Sequence, residues 1–116
     1  MRESILADKS LDFAVRIVNV GKYLMNEHKE YILSKQLIRS GTSIGDNVAE
    51  AQRGQSKADF VAKMSIALKE ANESSYWLKL LHRTDYLNQT QYESLNKDQE
   101  LIGLLTATCK TANQNK

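Results

Sequence analysis

Residues 40–51 read SGTSIGDNVAEA, and the reading of this stretch decides the fold. Gly41 and Gly45 stand four apart among Ser, Thr, Asp and Asn, which suits a phosphate loop, a turn, or a helix with a strip of small residues. A Walker-type loop needs G-x-x-x-x-G-K-[ST] between a strand and a helix. Here the second glycine comes one residue early, and neither Lys-Ser nor Lys-Thr follows it. A turn fits the residue types, because Gly, Asn and Asp all favour turns. The helix explains more: Leu33, Leu37, Ile44, Val48 and Ala51 stay in helical phase across both glycines. Gly41, Gly45 and Ala49 then line up at four-residue spacing, a smooth strip that another helix can approach closely. Each mid-helix Gly costs about 1 kcal/mol against Ala. Close packing on the strip offsets that cost, and we expect the three residues at an interface between copies of the chain.

Working outward, Ser34 reads as the N-cap of this helix, with Leu33 and Ile38 placed to form a hydrophobic staple. Arg53-Gly54-Gln55 ends it, with Gly54 suited to a left-handed C-cap. Upstream, SLDFAVRIVNVGKYLM (residues 10–25) carries Leu11, Ala14, Val18, Gly21 and Met25, and also Phe13, Ile17, Val20 and Leu24, at helical spacing. That is a wide apolar face, with Ser10 as its cap. EHKEY, residues 27–31, reads as a connection. Downstream, a third helix opens at Ser56 with Asp59 three residues on and runs to Arg83 without a breaker. Its stripe is Phe60, Met64, Ala67, Ala71, Ser74, Leu78 and Leu81. After the turn TDYLNQ, a fourth run carries Leu95, Ile102, Leu105 and Cys109. It is capped either by Thr90 with Glu93 or by Asn88 with Gln91, and the polar tail TANQNK frays. The reading is a single all-α domain: an antiparallel up-down-up-down four-helix bundle, with helices near 10–26, 35–53, 57–83 and 89–112.

The bulk composition agrees. The 116 residues suit one domain, and the absence of Pro, with only five Gly, leaves few breakers. A formal charge of +2 is too mild to argue nucleic-acid binding unless the cations cluster. The single cysteine, Cys109, excludes an internal disulfide framework and fits a reducing compartment. MRESILADKS has no apolar core for a signal peptide and no run reaches membrane-spanning length, so the expected location is the cytoplasm, with no membrane partner. Di-iron bundles use Glu and Glu-x-x-His ligands. Only His28 and His82 are present and neither follows a Glu by three, so no metal or cofactor is expected. Glu70-x-x-Glu73 is the nearest feature to a metal site. No nucleophile has an identifiable base, and the expectation is a protein that is not an enzyme.

The third helix has two apolar directions. Ile66, Trp77 and Leu80 lie roughly a third of a turn from the core stripe, at about 100° per residue. A second apolar face holding the single Trp suggests self-association. Glu70 and Glu73 point the same way and need partners if buried, with Arg39, Arg53 and Tyr76 as candidates. Arg39, Ser43, Asp46, Glu50 and Arg53 share one stripe of the second helix. Lys57, Lys69, Lys79 and Arg83 occupy the remaining sector of the third. That sector is either a solvated face or a phosphate-contacting one.

SKQLIRSGTSIGDNVAEAQRGQSKADFVAKMSIALKEANESSYWLKLL resembles the four-helix proteins named for intervening sequences in bacterial 23S ribosomal RNA genes, the S23 family. KSLDFAVRIVNVGKYL is similar to that family's first helix. The family core falls on Ser40, Ser43, Ile44, Asn47, Ala49, Glu50 and Ala51, which adds Asn47 to the polar set, and on Phe60, Ala67, Glu70 and Glu73. Asp46 and Leu68 depart from the usual Ala and from Gly or Ser. The resemblance implies a ring-like homopentamer. It also implies kinship with the accessory protein of diversity-generating retroelements, which binds nucleic acid through basic surface. The expected function is a non-enzymatic oligomeric bundle with RNA or DNA as candidate partner. The alternatives are a protein-interaction scaffold with no nucleic-acid role and a small bundle enzyme or metal protein.

Overall fold

The computed structural model describes residues 2–96 and 98–114. Five helices follow in order: α1 (Arg2–His28), α2 (Leu33–Gln52), α3 (Lys57–Arg83), α4 (Gln89–Ser94) and α5 (Asp98–Gln114). The last two occupy the place of the single fourth helix, and no strand occurs among the described residues. The domain measures 47 × 21 × 20 Å. Its long axis is close to one 27-residue helix at about 1.5 Å per residue.

Facing residues fix the topology. Gly21 meets Ile38, Gly41 meets Ile17 and Gly45 meets Ser10, so α1 and α2 run in opposite directions. Ser74 donates to Ser40 at 2.9 Å and Lys63 pairs with Glu50 at 3.6 Å, so α3 is antiparallel to α2. Gln99 donates to Ser75 at 3.2 Å, and Ser65 lies beside Cys109. Lys9 pairs with Glu100 at 2.8 Å and closes the square between α1 and α5. The bundle is therefore up-down-up-down around Leu6, Ile17, Leu24, Leu37, Ile44, Val48, Met64, Leu81 and Leu105, all without solvent exposure. Burying each such side chain contributes about 1.5–3 kcal/mol. Cys109 is buried among them, and burial pushes its thiol up.

Several element ends differ from the sequence reading, each for a local reason. α1 begins near Arg2 because Leu6 extends the buried stripe one turn ahead of Ser10. Ser10 is no cap: it is buried in mid-helix and its hydroxyl donates to the Leu6 carbonyl at 2.7 Å. Leu11 points away from the core and is 64% exposed. The α1–α2 connection is shorter than expected, and Ser34 lies inside α2. Glu30 caps that helix instead. Its carboxylate accepts from the backbone N–H groups of Ile32, Leu33 and Ser34 at 3.2, 3.0 and 2.8 Å. With Leu33 already helical, the Leu33–Ile38 staple does not apply. Gly54 follows α2, but its φ is not positive.

The Ser56 cap is as expected, accepting from the Asp59 N–H at 3.1 Å. α3 ends in a Schellman motif with Asp85 left-handed at φ 68. Tyr86 N–H bonds the Leu81 carbonyl and Asp85 N–H the His82 carbonyl. Of the two caps considered for the fourth run, Asn88 with Gln91 is the one formed, through a reciprocal pair of bonds. The run then breaks after Ser94. Leu95 closes α4 and turns inward, 3% exposed. α5 extends to Gln114, and the rest of the TANQNK tail lies outside the described residues.

Candidate functional site

α3 is the central element of the site because it packs on α2 with one flank and on α5 with the other. Met64, Ala67, Ala71, Ser74, Leu78 and Leu81 are buried. The opposite arc faces solvent and carries Ile66, Lys69, Tyr76, Lys79 and Arg83, all exposed. Lys69, Tyr76 and Arg83 are seven residues apart, so successive members drift by only about 20° and stand about 10 Å apart along the axis. The result is a straight cation–aromatic–cation line. Lys79 flanks it, on the side toward α5. Lys57 stands apart, because twelve residues at 100° place it a third of a turn from Lys69. It borders a shallow apolar depression with Ala58, Val61 and Ala62 instead.

The second apolar direction of α3 is present but uneven. Ile66 is 42% exposed, while Trp77 and Leu80 are half-buried at the bundle edge. The Trp77 ring meets the edge of Tyr76 with centroids 5.1 Å apart, and its buried indole N–H has no hydrogen-bond partner among the described residues. The glycine strip serves another purpose. Gly41 is buried against Ile17 and Gly45 faces Ser10, so the close approach expected between copies is made by α1 of the same chain. Ala49, one turn on, is half-buried.

The polar set divides into short-range units. The Arg39 guanidinium bridges Glu70, at 3.0 Å, and Glu73, within one chain. Glu70 is 8% exposed, so this pairing satisfies a buried charge. Hydrogen bonding to Glu73 is the main reason that the Arg39 pKa is raised. Ser43 and Asn47 bond carbonyls of their own helix, those of Arg39 and Ser43. Glu50 pairs with Lys63, and Arg53 is exposed beyond the end of α2. Tyr76, considered as a partner for the glutamates, belongs to the outward line.

Two features escaped the sequence reading. Asp98 is 1% exposed at the start of α5. Leu11 and Val15, 64% and 54% exposed, leave an apolar strip on α1. The seven-residue spacing that places Tyr76 between Lys69 and Arg83 was available in the sequence, whereas the burial of Asp98 was not. Among the described residues, no group of three His, Cys, Asp or Glu could hold a metal ion, and no helix is long and apolar enough to cross a membrane.

Residues 2–107 match the family described as 23S rRNA-intervening sequence protein. A crystal structure of a protein of unknown function, from the S23 ribosomal protein family of Bacteroides thetaiotaomicron, superposes with a TM-score of 0.92. The two sequences are 57% identical, over 95% of this chain and 99% of that one. No curated protein matches. The chain belongs to the 23S rRNA-intervening sequence protein family.

Proposed function

We propose that this family member is a non-enzymatic cytoplasmic bundle that assembles with copies of itself, as a pentamer, and offers the outer face of α3 to RNA or DNA. The observation that carries the nucleic-acid reading is the line of Lys69, Tyr76 and Arg83, exposed and in register. Cations at that spacing neutralise backbone phosphates, and an exposed tyrosine between them offers a face on which a base can stack. Lys79 widens the charge. One copy supplies only three or four such contacts. A ring repeats them around the assembly, and linked weak sites add up to useful avidity.

The self-association reading draws on Ile66, Trp77 and Leu80, which adjoin the basic line without overlapping it. The pentameric number comes from the family resemblance. A second reading, a scaffold for protein partners, is favoured by the exposed Leu11 and Val15 on α1. Light scattering of the wild type and Ile66→Glu, paired with anisotropy of labelled RNA and duplex DNA, separates the two readings. The first expects a multimer that Ile66→Glu shifts toward smaller species, with nucleic-acid affinity falling as the multimer is lost. An intact multimer that binds neither nucleic acid at low salt overturns the nucleic-acid reading in favour of the scaffold.

A further inference from the structure

Asp98 is the group in this molecule whose environment and chemistry conflict most. It opens α5, after the break that follows Ser94, and its buried side chain lies beside Ser75 and Lys79 of α3. The residue is 1% exposed, and neither carboxylate oxygen has a hydrogen-bond partner among the described residues. Ser75 lies close by on α3, where its hydroxyl accepts from Gln99. An ionised carboxylate with only the Ser75 hydroxyl near it, outside good hydrogen-bond geometry, is costly to hold in such a place, while the neutral acid is tolerated. The start of a helix, by contrast, favours an anion. The two demands cannot be met by one position of the same turn.

The charges on the surrounding elements are mostly engaged elsewhere. On α1, Lys9 pairs with Glu100, Arg16 reaches the Ser94 carbonyl at 3.4 Å, and Asp12 lines the cleft between α1 and α5. On α4, Glu93 accepts from Gln89. Among the described residues, Lys79 on α3 is the cation that acts on Asp98. Burial nevertheless wins and pushes the carboxyl up to about 7, against the opposing pull of Ser75 and Lys79.

We propose that Asp98 is a proton-operated latch between α5 and α3. With the proton on, the first turn of α5 lies sealed on α3. With the proton off, that turn lifts from the break at residues 95–96 until the carboxylate meets water and the Lys79 ammonium. The folded, sealed state holds the proton more tightly than an unfolded aspartate, whose pKa is near 3.8. Sealing is therefore strongest at low pH, weakens as pH rises from about 4, and levels off above about 7 once both states have lost the proton. Because opening releases Asp98 into an ordinary setting, the open-to-sealed ratio grows about tenfold for each pH unit between about 4 and 7 and is constant above that.

Hydrogen exchange at pH 5.5 and 8.0, corrected for intrinsic rates and run without ligand, tests the latch. The expected result is about thirtyfold less protection across the first two turns of α5 at pH 8.0, with the amides of α2 unchanged. Asp98→Asn, which cannot ionise, is expected to give equal protection at both pH values. Equal protection in the wild type, or a pH dependence that survives in Asp98→Asn, overturns the proposal. Should Asp98→Asn fold poorly, the carboxyl carbon of Asp98 in the wild type can be titrated by NMR. A midpoint near 7, tracked by the α5 amides, supports the latch, and a midpoint below 5 refutes it. Neither readout depends on nucleic-acid binding.

Discussion

Replacing Gly41 by Ala puts the packing of α1 on α2 to a direct test. Ala is the better helix former by about 1 kcal/mol, so in an open helix the change stabilises. At this position the new Cβ would lie 2.7 Å from Cγ2, 2.9 Å from Cγ1 and 3.1 Å from Cβ of Ile17. Ile17 has no solvent exposure and is branched at Cβ, so it has no free rotamer into which it can retreat. The helices must separate, and overpacking of this kind costs about 1–3 kcal/mol. Set against the propensity gain, the steric cost wins near the upper end of that range, and a net loss of about 1–2 kcal/mol is expected. Gly103 provides the control. It sits within α5 with nothing inside 4 Å of an added Cβ, so Gly103→Ala is expected to stabilise by about 1 kcal/mol. Gly45 falls between, since its added Cβ meets Ser10 at 3.4 Å, an ordinary contact. Urea unfolding at one fixed protein concentration gives the three differences, because self-association would otherwise couple to stability. If Gly41→Ala proves as stable as Gly103→Ala, α1 does not press on the glycine strip and the helix-packing argument is wrong.

Arg39→Ala is expected to destabilise by about 1–2 kcal/mol, a figure kept low because Arg39 is half exposed and solvent screens its pairs. Adding Glu70→Gln to that background should recover part of the loss, and a double-mutant cycle from urea midpoints measures the coupling. Glu30→Ala is expected to cost about 1 kcal/mol at pH 7 by uncapping α2. Burial raises the Glu30 carboxyl, but hydrogen bonds from the Leu33, Ser34 and Ile32 amides outweigh it and hold the group below its usual pKa of 4.5. Its contribution is therefore present above that value and lost as pH falls through the folded pKa. The stability gap between wild type and Glu30→Ala should close on acidification.

Much of this arrangement is legible in the sequence where a repeat of three or four is unbroken. α3 carries such a stripe from Met64 to Leu81, and the phase of Leu37, Ile44 and Val48 identifies Gly41 and Gly45 as helical. Ser56 is a recognisable cap because the side chain, the spacing and the following helix agree, whereas Asn88 with Gln91 and Thr90 with Glu93 satisfy the same pattern and only the structure chooses the first. Legibility failed where a residue type has two uses. Ser10 has the chemistry of a cap but bonds backward inside a helix, a choice fixed only by Leu6 finding a place in the core. Glu30 caps α2 through its carboxylate from a position where no short motif looks for it. The break after Ser94 has no Gly or Pro to announce it. On the site, the Lys69–Tyr76–Arg83 line follows from spacing alone, whereas the environment of Asp98 depends on where α5 lands. The glycine strip shows the remaining gap. Small residues reveal that something comes close, and only the fold reveals that it is α1.

The central claim, that the outer face of α3 meets phosphates, is tested most directly by the salt dependence of binding. Anisotropy of labelled single-stranded RNA and duplex DNA would be followed from low to physiological salt. The wild type would be compared with a Lys69→Ala, Arg83→Ala double variant whose mass is checked by light scattering. Lys79 is left in place because it also acts on Asp98. The expected result is binding that weakens steeply with salt, with a log–log slope shallower in the variant by about two for each engaged copy. Binding with the same slope in both proteins, or none from an intact oligomer even at low salt, would contradict it.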